Sequence, residues 1–416
     1  MIKKRKMVKK DKKVKHKKKT KKKVVKKSVK KKHPIRDDIG GKIQVLEGSK
    51  DKPSMVEVEK FSIVLQRLRK EIAKSVVGQE EIVDSLIRAL LCDGHVLLEG
   101  VPGIAKTLAI KTLATASGCA VKRIQFTVDL LPTDITGITS YTPGKGFETM
   151  KGPIFANFLI ADEINRSPPK TQSALIEAMQ EKQVTIAKNT FPLPSPFFVM
   201  ATENPLEQSG VYTLPEAQVD RFLFKVLMGY PKYEDEEKII ENNMTLKKFE
   251  DFGIKPVTSP KEILQMQKLT KNIYLGHEIR KYILDIVDKT RKKDFKHGEL
   301  IEWGGSPRAG IALFIASKAR ALMSGRNYVI PLDVKGVAHE VLRHRVILSY
   351  RARAEGIDTE HIEMNLLLYK AAKSPKLFQI LSGLTDYIQM SASMGYETPG
   401  RRKESLKEHI QIMKSR

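Results

Sequence analysis

Residues 56–74 place Phe61, Leu65, Leu68 and Ile72 on one face of a helix, and after Val76-Val-Gly-Gln-Glu80 a second helix runs to about residue 91. The apolar run at 95–99 predicts a short buried strand. Gly100, Pro102 and Gly103 break it into a tight loop. A helix follows, with Ala105, Leu108, Ala109, Leu113 and Ala116 toward the core and Gly118 as its stop. Further strands are predicted at 121–126, 158–161, 197–202 and 222–227. Between them lie a glycine-rich excursion through 141–153, a helix from 168 to about 180, a hairpin over 183–193 and a short helix from 214 to 222. Ser167 and Pro168 are expected as the N-cap and first residue of the helix at 168–180. From 232 to 350 only helical periodicity remains, broken at Gly253, Pro256, Pro260, Gly276, Gly298 and Pro331, and 351–416 also reads as helical.

Composition changes this picture mainly at the N-terminus. The 416 residues allow two or three domains, and their net charge of +27 is unevenly spread. Of the 75 Lys and Arg, 20 fall in residues 1–32 beside one acid, leaving 55 basic against 47 acidic residues in the rest. Such a lysine block cannot bury a core and is expected to be disordered, with 34–55 as a linker. It would either hold a polyanion such as nucleic acid or serve as a solubilising tail. No aromatic residue is interleaved for base stacking. Cys92 and Cys119 sit in no metal-binding or redox spacing, which suggests a reducing compartment without structural zinc. No signal peptide or membrane-spanning run is evident, so a soluble cytoplasmic protein is the default expectation.

The chemistry concentrates where strands end. In Gly100-Val-Pro-Gly-Ile-Ala-Lys-Thr107, a strand, a glycine loop ending in Lys-Thr and a helix make a phosphate cradle. Backbone N–H groups and the helix dipole face polyphosphate, Lys106 reaches the β and γ oxygens, and the Thr107 hydroxyl suits Mg²⁺. Ala105 stands where the usual pattern has glycine. In Phe158-Leu-Ile-Ala-Asp-Glu-Ile-Asn-Arg166 a buried strand presents Asp162 for the Mg²⁺ shell and Glu163 to polarise water. Asn204, ending the next strand, either orients the lytic water or forms an Asn-Pro turn. Arg221 either reaches a neighbour's phosphate or simply ends a helix. Arg308, two residues past the cap Ser306, opposes its helix dipole and either is fully solvated or asks for an anionic partner such as phosphate.

Taken in order, these segments, with Ala201-Thr-Glu-Asn-Pro205, Leu214-Pro-Glu-Ala-Gln-Val-Asp-Arg221 and Ser306-Pro-Arg308, resemble the MoxR family of AAA+ ATPases from about residue 56 to 350. The resemblance implies an α/β P-loop core with a five-stranded parallel sheet in a three-layer sandwich (56–231), an all-α lid (232–350) and an extension (351–416) of unassigned role. It implies ATP and Mg²⁺ as cofactors, with nucleotide contacts at Gly100, Val101, Pro102, Gly103, Ile104, Ala105, Lys106, Thr107 and Leu108 (the Walker A segment), and also at Val77 and Gly78. Asp162 and Glu163 would be Walker B, Asn204 sensor 1, Arg221 a trans-acting arginine finger and Arg308 sensor 2. Residues 138–153 resemble the clade's helix-2 insert and 183–193 its pre-sensor-1 hairpin. Many members carry Gln where this chain has Glu203. The resemblance further implies a ring, usually hexameric, that remodels protein clients, often ones with a von Willebrand factor A domain. A nucleic-acid motor using the basic tail is the alternative, since the related clade includes the minichromosome maintenance helicases.

Overall fold

A computed structural model describes residues 53–101, 106–143, 146–205, 211–242, 249–294 and 298–357, with residue 359. The chain opens on α1 (Met55–Ile72) and α2 (Glu80–Leu91). Ser54 starts α1 by a capping box: Glu57 N donates to its hydroxyl and its own N–H donates to the Glu57 carboxylate, both at 3.2 Å. Then come β1 (Val96–Gly100), α3 (Lys106–Ala116), β2 (Val121–Gln125), α4 (Pro132–Thr136) and a hairpin of β3 (Gly137–Thr142) and β4 (Gly146–Lys151). They are followed by β5 (Phe158–Asp162), α5 (Pro169–Glu181), a second hairpin of β6 (Gln183–Ile186) and β7 (Asn189–Pro192), β8 (Phe198–Glu203), α6 (Glu216–Val219) and β9 (Phe224–Met228). β1 lies one residue later than the apolar run suggests, because Gly100 still pairs with Met228. The short helix before β9 is only four residues long, ending at Asp220.

The strands form one sheet in the order β2-β5-β8-β1-β9, every pairing parallel. Alternate residues of each strand enter different cores. Val96, Leu98, Phe158, Ile160, Phe198, Met200, Phe224 and Val226 pack with α1, α2 and α3. Leu97, Leu159, Ala161, Val199 and Ala201 pack on the other side with α5 residues such as Leu175 and Met179. That is a sheet between two helical layers, as expected.

One register in the sequence reading shifts. Helix α5 begins at Pro169, and Pro168 is its N-cap at φ −60°, ψ 153°, while Ser167 belongs to the preceding turn. A residue followed by proline is pushed out of the helical region, so the Pro168-Pro169 pair moves the start on by one.

Past β9 come α7 (Tyr233–Asn242), α8 (Pro260–Asn272), α9 (His277–Lys292), α10 (Pro307–Met323), α11 (Pro331–Leu342) and α12 (Tyr350–Ala354). This part is not purely helical: β10 (Ile301–Trp303) pairs antiparallel with β11 (Ile347–Leu348). Strands of three and two residues are too short to show a period in the sequence. The lid helices share a single apolar cluster with α1–α3, and Arg88 of α2 pairs with Glu340 of α11 at 2.6 Å. Among the described residues no helix is long and apolar enough to cross a membrane. Cys92 and Cys119 are buried free thiols. Burial raises both pKa values, Cys119's to about 12. Expectations for the lysine tail, for most of the linker, for Pro102, Gly103, Ile104 and Ala105, and for 360–416 lie outside the described residues.

Candidate functional site

The phosphate loop leaves the carboxyl end of β1 and enters α3, as a dinucleotide or polyphosphate site at a sheet edge requires. Gly100 is buried, and Val101 and Leu108 are half-buried. Lys106 opens α3 and turns back on the loop, donating to the Gly100 carbonyl and, at 3.3 Å, to the Glu203 carbonyl. Partial burial lowers its pKa, opposed by Asp162, Glu163 and Glu99. Two carbonyls thus hold the ammonium at the place where a phosphate would compete for it.

Across the edge, every residue of β5 is buried down to Asp162. The Thr107 hydroxyl donates to Asp162 Oδ2 at 3.3 Å. The Thr202 hydroxyl donates to Asp162 Oδ1 at 3.1 Å and accepts from the Glu163 N–H at 2.9 Å. Glu163 sits in the left-handed region at φ 56°, an uncommon conformation for a side chain of its size. Strand alternation would send it to the face opposite Asp162. The left-handed turn re-aims it, and its Oε2 accepts from Gln125 Nε2 at 2.7 Å and pairs with Arg166 at 3.0 Å. Arg123 Nε donates to Asp162 Oδ2 at 2.5 Å. Arg123, Gln125 and Thr202 were not anticipated. Their roles depend on β2 and β8 flanking β5, and no periodicity encodes that order.

Glu203 and Asn204 end β8 beside these acids, Asn204 buried. Burial raises the Glu203 pKa, with Lys225 opposing, and Lys225 itself pairs with Glu99 at 2.5 Å. A second cluster gathers on Asp220. Ser306 caps α10, as expected, and its hydroxyl donates to Asp220 Oδ2 at 3.0 Å. Arg308 approaches the same oxygen at 3.5 Å. The anion that Arg308 asks for is therefore already present within the chain. Buried Arg345 donates to Asp220 Oδ1 at 2.8 Å and to the Phe222 carbonyl at 2.6 Å. Burial draws its pKa down to about 10 against the pull of Asp220. Arg221, next in sequence to this hub, is exposed, and its side chain has no hydrogen-bond or ion-pair partner among the described residues. Val77 and Gly78 lie between α1 and α2. At Gly78, φ 75°, a Cβ would stand 2.5 Å from the Asp235 side chain, so the structure shows the approach of α7 there.

Among the described residues no three His, Cys, Asp or Glu side chains converge to hold a metal alone. A hydroxyl and a carboxylate 3.3 Å apart, both hard oxygen donors, instead fit the Mg²⁺ that accompanies polyphosphate.

The sheet order, the loop between β1 and α3, and the paired acids of the neighbouring strand define an AAA-type nucleotide-binding fold. The family model described as ATPase family associated with various cellular activities (AAA) matches residues 95–224, and that of the AAA lid domain matches 296–364. Over 318 residues the chain is 46% identical to Chaperone MoxR1 of Mycobacterium tuberculosis, spanning 74% of this chain and 82% of that one. It is 42% identical to the uncharacterized protein YeaC of Bacillus subtilis, spanning 77% and 98%. A crystal structure of a candidate ATPase from Cytophaga hutchinsonii superposes with a TM-score of 0.70 at 42% identity, over 75% of this chain and 96% of that one. The chain belongs to the MoxR family of AAA+ ATPases.

Proposed function

We propose that the chain hydrolyses ATP at a site completed by a neighbouring copy in a ring, hexameric as is usual for the family, and uses the turnover to remodel protein clients. The observation that carries the reading is the 3.3 Å approach of the Thr107 hydroxyl to Asp162, with Glu163 held beside it. Family membership and the chaperone name of a 46%-identical relative support protein clients as the class, and within that class the reading includes proteins with a von Willebrand factor A domain.

Thr107 and Asp162 would hold Mg²⁺, which when bound neutralises charge on the phosphate oxygens. Lys106 exchanges its two backbone carbonyls for the β and γ oxygens, a contact strengthened by partial burial. Glu163 accepts a proton from the attacking water. Among the described residues Gln125 and Arg166 both meet its Oε2, which leaves the other carboxylate oxygen to face the nucleotide. Asn204 orients that water or the γ-phosphate. Arg221, with no side-chain partner among the described residues, offers a guanidinium to the adjoining copy's γ-phosphate. Arg308 exchanges Asp220 for phosphate and so couples nucleotide to the lid.

The test compares three proteins. Glu163→Gln should bind ATP as the wild type does and turn it over about 10²–10⁴-fold more slowly. Lys106→Ala should lose nucleotide binding. Hydrolysis by Glu163→Gln at the wild-type rate overturns the assignment. The Glu163→Gln protein held in ATP should also retain its client in a pull-down.

A further inference from the structure

Arg123 and Gln125 occupy the position in β2 that the register sets opposite Ile160 and Asp162 of β5. Paired residues of parallel strands point to the same face, so both long side chains lie over the α3 side of the sheet, where Thr107 also stands. Their hydrogen bonds form one chain. Arg123 Nε donates to Asp162 Oδ2 at 2.5 Å, Arg123 Nη2 donates to Gln125 Oε1 at 3.0 Å, and Gln125 Nε2 donates to Glu163 Oε2 at 2.7 Å. A guanidinium can only donate and an ionised carboxylate can only accept. The intervening amide therefore has one orientation that satisfies both ends, and Arg123 imposes it.

Asp162 Oδ2 is also the oxygen that receives the Thr107 hydroxyl, and Oδ1 is taken by Thr202. Both oxygens of the metal-binding carboxylate are thus occupied, one of them by a cation. Asp162 is nearly buried, with 8% of its side chain accessible, whereas Arg123 is 56% accessible and has solvent to move into. A divalent ion arriving at this carboxylate meets a guanidinium already there, and two cations cannot share one oxygen without repulsion.

We propose that Arg123 is a built-in counter-cation of Asp162 that competes with Mg²⁺ for this carboxylate. The inference rests on the proposed nucleotide site. It gives Arg123 a role in setting how much Mg²⁺ the site needs.

The experiment is a Mg²⁺ titration of a fluorescent ADP analogue bound to the full chain, with its affinity in EDTA measured alongside. Arg123→Gln should lower the Mg²⁺ concentration at half-effect on the order of three- to tenfold, with nucleotide affinity in EDTA unchanged. Arg123→Lys keeps the charge but cannot serve Asp162 and Gln125 together, and its midpoint should fall between the two. Gln125→Ala leaves Arg123 on Asp162 and should keep the wild-type midpoint. An unmoved midpoint in Arg123→Gln overturns the proposal, as does weaker nucleotide binding in EDTA, which would make Arg123 a phosphate ligand. A Gln125→Ala shift as large as that of Arg123→Gln also overturns it. Failure of the wild type to bind nucleotide in EDTA or Mg²⁺ would instead sink the nucleotide site itself. Thermal melts of each variant report folding, and the exposed Arg123 side chain makes both substitutions tolerable.

Discussion

His95 is wholly buried beneath the sheet edge between two backbone groups. Its Nδ1 accepts from the Val199 N–H at 3.1 Å, and its Nε2 lies 3.1 Å from the Met179 carbonyl, to which it donates. That pair of bonds requires the neutral ring protonated at Nε2. Burial lowers its pKa from 6.5 to about 4, with the Met179 carbonyl opposing. The unfolded chain therefore takes up a proton, as pH falls below 6.5, that the folded chain refuses until about pH 4. The stability contributed by the neutral ring is complete above 6.5, lost through that window and not lost further below it, for a total of about 3 kcal/mol. His344 adds to the trend, since burial first and the Arg345 charge second lower its pKa as well. Urea denaturation at pH 7 and at pH 4.5 checks this. Relative to the wild type, a His95→Gln chain should be less stable at pH 7 yet lose less stability on acidification. Parallel losses in the two chains would contradict the neutral-ring assignment.

Helix α3 carries Lys106 and Thr107 at one end and is fixed at the other by groups far along the chain. The Val257 N–H donates to the Ala116 carbonyl at 2.8 Å, and Gly118 turns away at φ 63°. A Cβ on Gly118 would stand 2.9 Å from the Thr258 carbonyl, so glycine is needed both for the left-handed turn and for this approach. Gly118→Ala should lower stability by about 1–3 kcal/mol, read from the urea midpoint, and a change within a few tenths would show that the contact relaxes freely. Gly118 illustrates what the sequence could and could not say. Its role as a helix stop is local and legible, while its neighbour Thr258, 140 positions on, is not. The same division holds at the site. Lys106 and Thr107 end a glycine loop and Asp162 and Glu163 end an apolar run, so all four can be read directly. Arg123, Thr202 and the Asp220–Arg345 pair, 125 residues apart, exist only once the strand order is known. The Ser167 misreading had a local cause, a second proline whose effect on its predecessor outweighed the cap preference.

At the scale of the molecule, the two polar clusters divide the work. Lys106, Thr107, Asp162 and Glu163 form the centre proposed to hold the chain's own nucleotide. Asp220 gathers Ser306, Arg308 and Arg345 into a hub at the end of α6, and Arg221 emerges exposed beside it. Arg345 is held by carbonyls of the β9 approach as well as by Asp220, so the hub joins sheet and lid at one buried point. A residue anchored so firmly on one side and so open on the other is suited to act across a boundary between copies. If Arg221 serves the neighbour, a ring of Arg221→Ala chains and a ring of Glu163→Gln chains should each be nearly idle, because an arginine finger is worth about 10³–10⁵ in rate. Mixing them should restore activity, since at equal amounts about one head-to-tail interface in four joins an intact Glu163 to an intact Arg221. Steady-state ATP hydrolysis across mixing ratios, after subunits have exchanged, measures this. The curve should rise from both ends to a maximum near equal proportions. A flat curve would mean that each chain needs its own Arg221, and the hub on Asp220 would then serve the nucleotide within one copy.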